Sequence, residues 1–122
     1  MDRFRDLDAK VHEALYPNVA LAVRGRGDIP THWLDVGRMV EIPHYSTDLG
    51  AWDMVSEQRP SWRWMQLDGD NCVTVTLFGA QPHADPRNRY SLRAVVTAFE
   101  VVGHAAYALG RARCVIKWAN NG

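Results

Sequence analysis

At 122 residues, 47% hydrophobic and 23% charged, the chain has the length and composition of one globular domain with its own core, which excludes disorder, a fibrous class and a second ordinary domain. Fourteen basic residues balance 14 acidic ones and the pI is about 7.0, so neither the basic excess of a phosphate-neutralising binder nor the acidic excess of a DNA mimic is present. The longest apolar stretch, Ala94 to Leu109, is broken by Glu100 and His104 and falls short of the roughly 18 to 20 apolar residues of a membrane span.

The chain opens on the charged run Met1-Asp2-Arg3-Phe4-Arg5-Asp6 rather than the apolar run of a signal peptide, so a cytoplasmic address is expected. Cys72 and Cys114 are the only cysteines, and in that compartment both are expected to be reduced, buried, small hydrophobes. Lys10 and Lys117 are the only lysines. Arg suits bidentate and interface contacts, but a GC-rich genome produces the same bias.

In chain order, Phe4, Leu7, Val11, Ala14 and Leu15 recur at helical spacing, and Pro17 ends that helix. Val19 to Arg24 is a short apolar run, and Gly25-Arg26-Gly27-Asp28 reads as a turn. Trp33 to Ile42 reads as strand structure broken near Gly37, in the manner of a hairpin. After Pro43, Ser46 or Thr47 is placed to cap a helix with Asp48 in its first turn and Leu49, Trp52 and Val55 on one face, with Tyr45 as a staple. Trp62 to Leu67 and Cys72 to Phe78 predict an antiparallel hairpin across Asp68-Gly69-Asp70-Asn71. Gly79 to Arg89 is a loop with two prolines. Leu92, Val95, Val96, Phe99, Val102 and Ala106 make a helical stripe capped by Ser91 and ending near Gly110. The tail, Arg111 to Gly122, can be an edge strand or irregular chain.

These elements predict an α+β fold: a small antiparallel sheet with three helices packed on it as a layered sandwich. One domain spans residues 1–122, with the sandwich over about 4–110 and a tail over 111–122. The expected core comprises Leu7, Val11, Val55, Val75, Leu77, Val95, Phe99 and Val102.

Three stretches, Asp6 to Leu15, Pro43-His44-Tyr45-Ser46-Thr47-Asp48-Leu49 and Ser91 to Val102, resemble the phage ABA (α-β-α) sandwich domain, a family of small proteins from tailed phages and prophages. The similarity covers roughly residues 4 to 105. It implies a layered sandwich and a phage or prophage gene, and it implies no catalytic residue. The family pattern has a further alanine before the helix tryptophan. Gly50-Ala51-Trp52 is one residue shorter, which turns Trp52 by about 100° around the helix.

Few residues suggest chemistry. His12, His32, His44, His83 and His104 show no spacing suited to a compact metal site, and no Cys-x-x-Cys occurs, so no metal and no cofactor are expected. His104 reads as a packed histidine and His44 as a local partner at a helix start. Ser46, His44 and Asp48 have the composition of a triad, but cap chemistry explains Ser46 and Asp48 more simply. There is no Walker loop and no Gly-x-Gly-x-x-Gly. Trp62-Arg63-Trp64 interleaves aromatic and basic residues as single-strand binders do, yet alternation puts both tryptophans on one face, where core packing is the stronger reading.

The expectation is therefore a non-enzymatic phage or prophage accessory protein that binds a host or phage protein. The most concrete version is inhibition of a bacterial defence system such as CRISPR–Cas (anti-CRISPR). Its partner, or a second copy forming a homodimer, is expected at the Gly79 to Arg89 loop and the tail, through Arg87, Arg89, Lys117 and Trp118. Nucleic-acid binding through Arg87, Arg89, Arg93, Arg111 and Arg113 is the first alternative, and a small-molecule binder or hydrolase the second. No membrane partner is expected.

Overall fold

The N-terminal helical pattern forms α1, Arg5–Leu15, which buries Ala9, Val11 and Leu15. A computed structural model describes residues 4–23, 27–79 and 91–120 of the chain. Three short strands follow α1: β1 (Leu21–Ala22), β2 (His32–Asp35) and β3 (Arg38–Glu41), paired antiparallel in that order. Val36 and Gly37 join β2 to β3, both at positive φ, +48° and +79°. That is the backbone a two-residue hairpin turn demands, and Gly37 supplies it without strain.

A 3₁₀ turn, Leu49–Trp52, leads directly into α2, Asp53–Gln58, and buries Trp52 and Val55 on the expected face. The cap, however, is not Ser46 or Thr47. Asp48 takes that role, its carboxylate accepting from the Gly50 N–H at 3.0 Å, while Ser46 is committed elsewhere. The second sheet joins β4 (Arg63–Asp68), β5 (Cys72–Phe78) and β6 (Ser91–Thr97), again antiparallel and in chain order. The β4–β5 hairpin turns at Gly69 to Asn71, as the sequence predicts.

The stretch from Ser91 to Gly110 is corrected. It is not one helix but β6 followed by a turn, and α3 runs from His104 to Asn120, through most of what reads as tail. Two periods compete in this stretch. Leu92, Ala94 and Val96 alternate and are buried, which is strand behaviour. Val95, Phe99 and Val102, assigned to a helical core stripe, are 50%, 94% and 70% exposed. The other expected core positions Val11, Val55, Val75 and Leu77 are fully enclosed, and Leu7 is half-buried against the same core.

The described residues form an α+β fold of two three-stranded antiparallel sheets and three helices. α3 packs on one face of the β4–β5–β6 sheet, where Cys114 and Leu92, Ala94, Val75 and Leu77 share a cluster. Ala112 and Val115, on the same helix, pack with Ala9, Val11 and Leu15 of α1. Gly110 sits where α3 comes nearest β5, and a Cβ there would lie 2.3 Å from a methyl of Val75. That close approach explains a glycine inside a helix, where its backbone freedom alone would cost about 1 kcal/mol. Among the described residues, no helix is long and apolar enough to cross a membrane.

Candidate interaction surface

Alternation along β4, β5 and β6 sorts the sheet into two unlike faces. Toward α3 point Trp64 on β4, Val73, Val75 and Leu77 on β5, and Leu92, Ala94 and Val96 on β6. The other face carries Arg63, Met65 and Leu67 on β4, Cys72, Thr74, Thr76 and Phe78 on β5, and Ser91, Arg93, Val95 and Thr97 on β6. The register fixes its rows. Arg63, Phe78 and Ser91 stand abreast, then Met65, Thr76 and Arg93, then Leu67, Thr74 and Val95. Leu67 is 60% exposed, Val95 50%, Met65 43% and Phe78 36%, while Thr76, between Met65 and Arg93 in the middle row, is 3% exposed.

Apolar side chains on an uncovered sheet face need a physical reason, because a sheet with one solvated face ordinarily turns polar residues outward. Here Met65, Leu67 and Val95 adjoin one another, and no described helix lies over them. At the β6 edge, Arg113 donates to the Val95 carbonyl at 3.3 Å and Lys117 to the Arg93 carbonyl at 2.5 Å. Those two cations occupy edge carbonyls that another strand could otherwise pair with.

No family model, curated protein or solved structure matches the chain.

The residues singled out from the sequence fall in different places. Lys117 is exposed and bonded to the β6 edge, as described. Trp118 is half-buried and packs edge-on against Trp62 with ring centroids 5.1 Å apart, so its bulk serves the core. Arg87 and Arg89, with the rest of 80–90, lie outside the described residues. Of the other arginines weighed for nucleic acid, Arg113 bridges Glu100 at 2.5 Å and Arg111 lies over the Trp64 ring at 5.0 Å. Arg93 alone of these three points onto the open face.

The Ser46, His44 and Asp48 trio is not joined. Ser46 Oγ donates to Asp8 at 2.6 Å, His44 Nε2 meets Glu41 at 2.9 Å, and Asp48 caps the 3₁₀ turn. His44 thus bonds locally, as expected. His104 does not pack: it is exposed at the first residue of α3. Among the described residues no group of His, Cys, Asp and Glu side chains is arranged to hold a metal ion. Both cysteines are free. Burial pushes the Cys114 thiol up to about 11, and Cys72 is half-buried. An open groove of about 540 Å³ between α1 and α3 is lined by Lys10, Glu13, Ala14, Pro17, Ile116 and neighbours, with no Ser, Thr, Cys or His in its lining.

Of the histidines given no individual role in the sequence, His12 is the best enclosed among the described residues. His12 is 2% exposed on α1, its Nδ1 is 2.8 Å from the Tyr45 hydroxyl, and its ring lies against Tyr16 and Trp33. The available signal was its position between Val11 and Leu15 on the apolar side of the helix. Burial holds its pKa near 4, against 6.5 for a free side chain, so it is neutral in the fold at physiological pH. As the pH falls, the unfolded chain takes up the proton first, near 6.5, and the native state follows only near 4. Stability is therefore lost through that window, by about 2 kcal/mol between pH 7 and pH 5. Urea unfolding at the two pH values measures it. His12→Phe should flatten the dependence, and an unchanged slope in that variant would assign the effect to another group. Glu100, held down to about 2 by the Arg113 guanidinium against 4.5 for a free carboxyl, adds its own acid sensitivity as the pH falls from about 4.5 toward 2.

Proposed function

We propose that the chain is a non-enzymatic accessory protein that acts by binding another protein, with the open face of the β4–β5–β6 sheet as its contact surface. The observation that carries this reading is the adjoining trio Met65, Leu67 and Val95, exposed on a rigid sheet with no described element over it. An apolar patch rimmed by polar residues is the surface a protein partner buries. Ser46, His44 and Asp48 are each bonded to other groups, so the triad those three would compose does not compete with a binding role. The likeness of Pro43 to Leu49 and of the first helix to the phage ABA sandwich supports a phage or prophage origin and action in the host cytoplasm. Inhibition of a bacterial defence system such as CRISPR–Cas remains the concrete form of that proposal.

A photo-crosslinking amino acid at position 67 tests it in host cells, with one at the exposed Val36 position on the other sheet as a control. The expected outcome is one protein adduct from position 67 that is absent from position 36. No adduct at 67, or the same adducts from both positions, would reject this face as the binding surface.

A further inference from the structure

We propose that the occupant of the open face is an acidic amphipathic helix of a partner protein, apolar on one side and carrying carboxylates toward Arg63 and Arg93. The proposal rests on reading this face as a protein-binding surface and goes on to name the chemistry of what it binds. The charge on the face is one-signed. Arg63 and Arg93 both project from it, and none of its described residues is a carboxylate. The nearest acid along β6, Glu100, is held by Arg113, and Asp68 points to the α3 side, where it accepts from Tyr107 at 2.7 Å. The two cations are therefore unopposed within the sheet. They occupy the first two rows, while Leu67 and Val95 occupy the third.

That polarity selects among occupants. A second copy of the chain would bring the same two arginines and no carboxylate to the contact, which is like-charge juxtaposition. A single-stranded nucleic acid would meet the cations, but it needs aromatic platforms for its bases. This face offers Phe78 alone, 36% exposed, while Trp62 and Trp64 lie on the core side. Met65, Leu67 and Val95 are aliphatic or thioether side chains, and Met in particular suits a surface that accommodates an apolar helix stripe. Rows on a strand face repeat about every 6.6 Å, so three rows span about two to three helical turns at 5.4 Å each. A segment of that length presents apolar residues at i, i+3 and i+7 to the patch, with Glu or Asp over the arginines.

The test is panning of a displayed library of random 16-residue peptides on the whole chain, with counter-selection on Leu67→Glu, followed by anisotropy titration of the survivors. Leu67 is 60% exposed, so the substitution leaves the core intact. Survivors are expected to be rich in Glu and Asp, with apolar residues at helical spacing. They should bind Arg63→Glu/Arg93→Glu at least ten-fold more weakly than wild type. Lysine-for-glutamate versions should regain affinity for that double variant. Survivors without an acid excess, or with equal affinity for the charge-reversed chain, overturn the inference while the binding face itself stands. If no peptide distinguishes wild type from Leu67→Glu, the face and the inference fail together. Tighter binding of a 12-residue oligothymidylate than of any survivor overturns it in favour of nucleic acid. In the free chain Met65 should oxidise at a rate similar to Met39 and Met54, which are also exposed. Strong protection of Met65 would mean that another part of the chain already covers the face, and would overturn the proposal.

Discussion

Replacing Asp8 by alanine should cost the fold about 3 to 5 kcal/mol, because it takes the one buried carboxylate from a buried guanidinium. Asp8 is 1% exposed and Arg5 7%. One carboxylate oxygen accepts from Arg5 Nη1 at 2.8 Å, and the other from both the Ser46 N–H, at 2.8 Å, and its hydroxyl, at 2.6 Å. Arg5 in turn donates to the carbonyls of Ile42, at 2.8 Å, and Thr31, at 3.3 Å. The pair thus pins α1 to the strand end and to the turn that carries Pro43 to Asp48. Alanine removes the buried charge partner, leaving Arg5 only the exposed Glu41 carboxylate at 3.7 Å, and takes the acceptor from the enclosed Ser46 N–H, where the lost bond carries a desolvation cost. Arg5→Met/Asp8→Leu should be milder than Asp8→Ala alone, since removing both charges leaves no ion unpaired. Denaturant unfolding of the three chains decides it. A loss below about 1 kcal/mol for Asp8→Ala would show that the buried ion pair contributes little.

Trp52→Ala should cost about as much, again roughly 3 to 5 kcal/mol, by a different route. Trp52 is fully enclosed, meets Tyr45 and Trp64 edge-on with centroids 5.4 Å away, and donates its Nε1–H to the Tyr45 carbonyl at 2.8 Å. Alanine opens a cavity at the junction of the 3₁₀ turn, β4 and the Pro43–Asp48 turn, and orphans that carbonyl. Trp52→Phe should lose less, since the ring volume is partly kept while the hydrogen bond goes. Comparable unfolding midpoints for wild type and Trp52→Ala would show that the site collapses around the smaller side chain. Trp52 enters the core from the 3₁₀ turn Leu49–Trp52, which winds more tightly than an α-helix.

Local patterns carried most of the elements: the first helix, both hairpins and the apolar face from Leu49 to Val55 stand where spacing and turn residues put them. The misreading at Ser91 to Gly110 has two physical sources. A short apolar run containing Leu92, Val95 and Val96 satisfies both periods. What selects the strand is tertiary, since β5 gains a second neighbour in β6 and buries Leu92, Ala94 and Val96 under α3. Gly110 then suggested an ending, whereas its missing side chain admits Val75 and the helix continues. The alanine-rich segment from Ala105 to Ala112 was the local clue to where that helix lies. The open face was half legible: alternation in β5 showed that one face was more deeply buried, but the exposed apolar trio needs Val95 beside Leu67 across two ladders. The Arg5–Asp8–Ser46 network joins residues some forty positions apart, with no periodic mark.

The packing of α3 against both α1 and the β4–β5–β6 sheet sets a timetable for synthesis. Ala9, Val11 and Leu15 emerge first, yet their partners Ala112 and Val115 come roughly a hundred residues later, a long-range closure of the kind that slows folding. Until that helix exists, Val75, Leu77, Leu92 and Ala94 have no cover. A nascent chain stopped before His104 therefore shows apolar residues on both sides of one sheet, the state in which unfinished chains aggregate or engage chaperones.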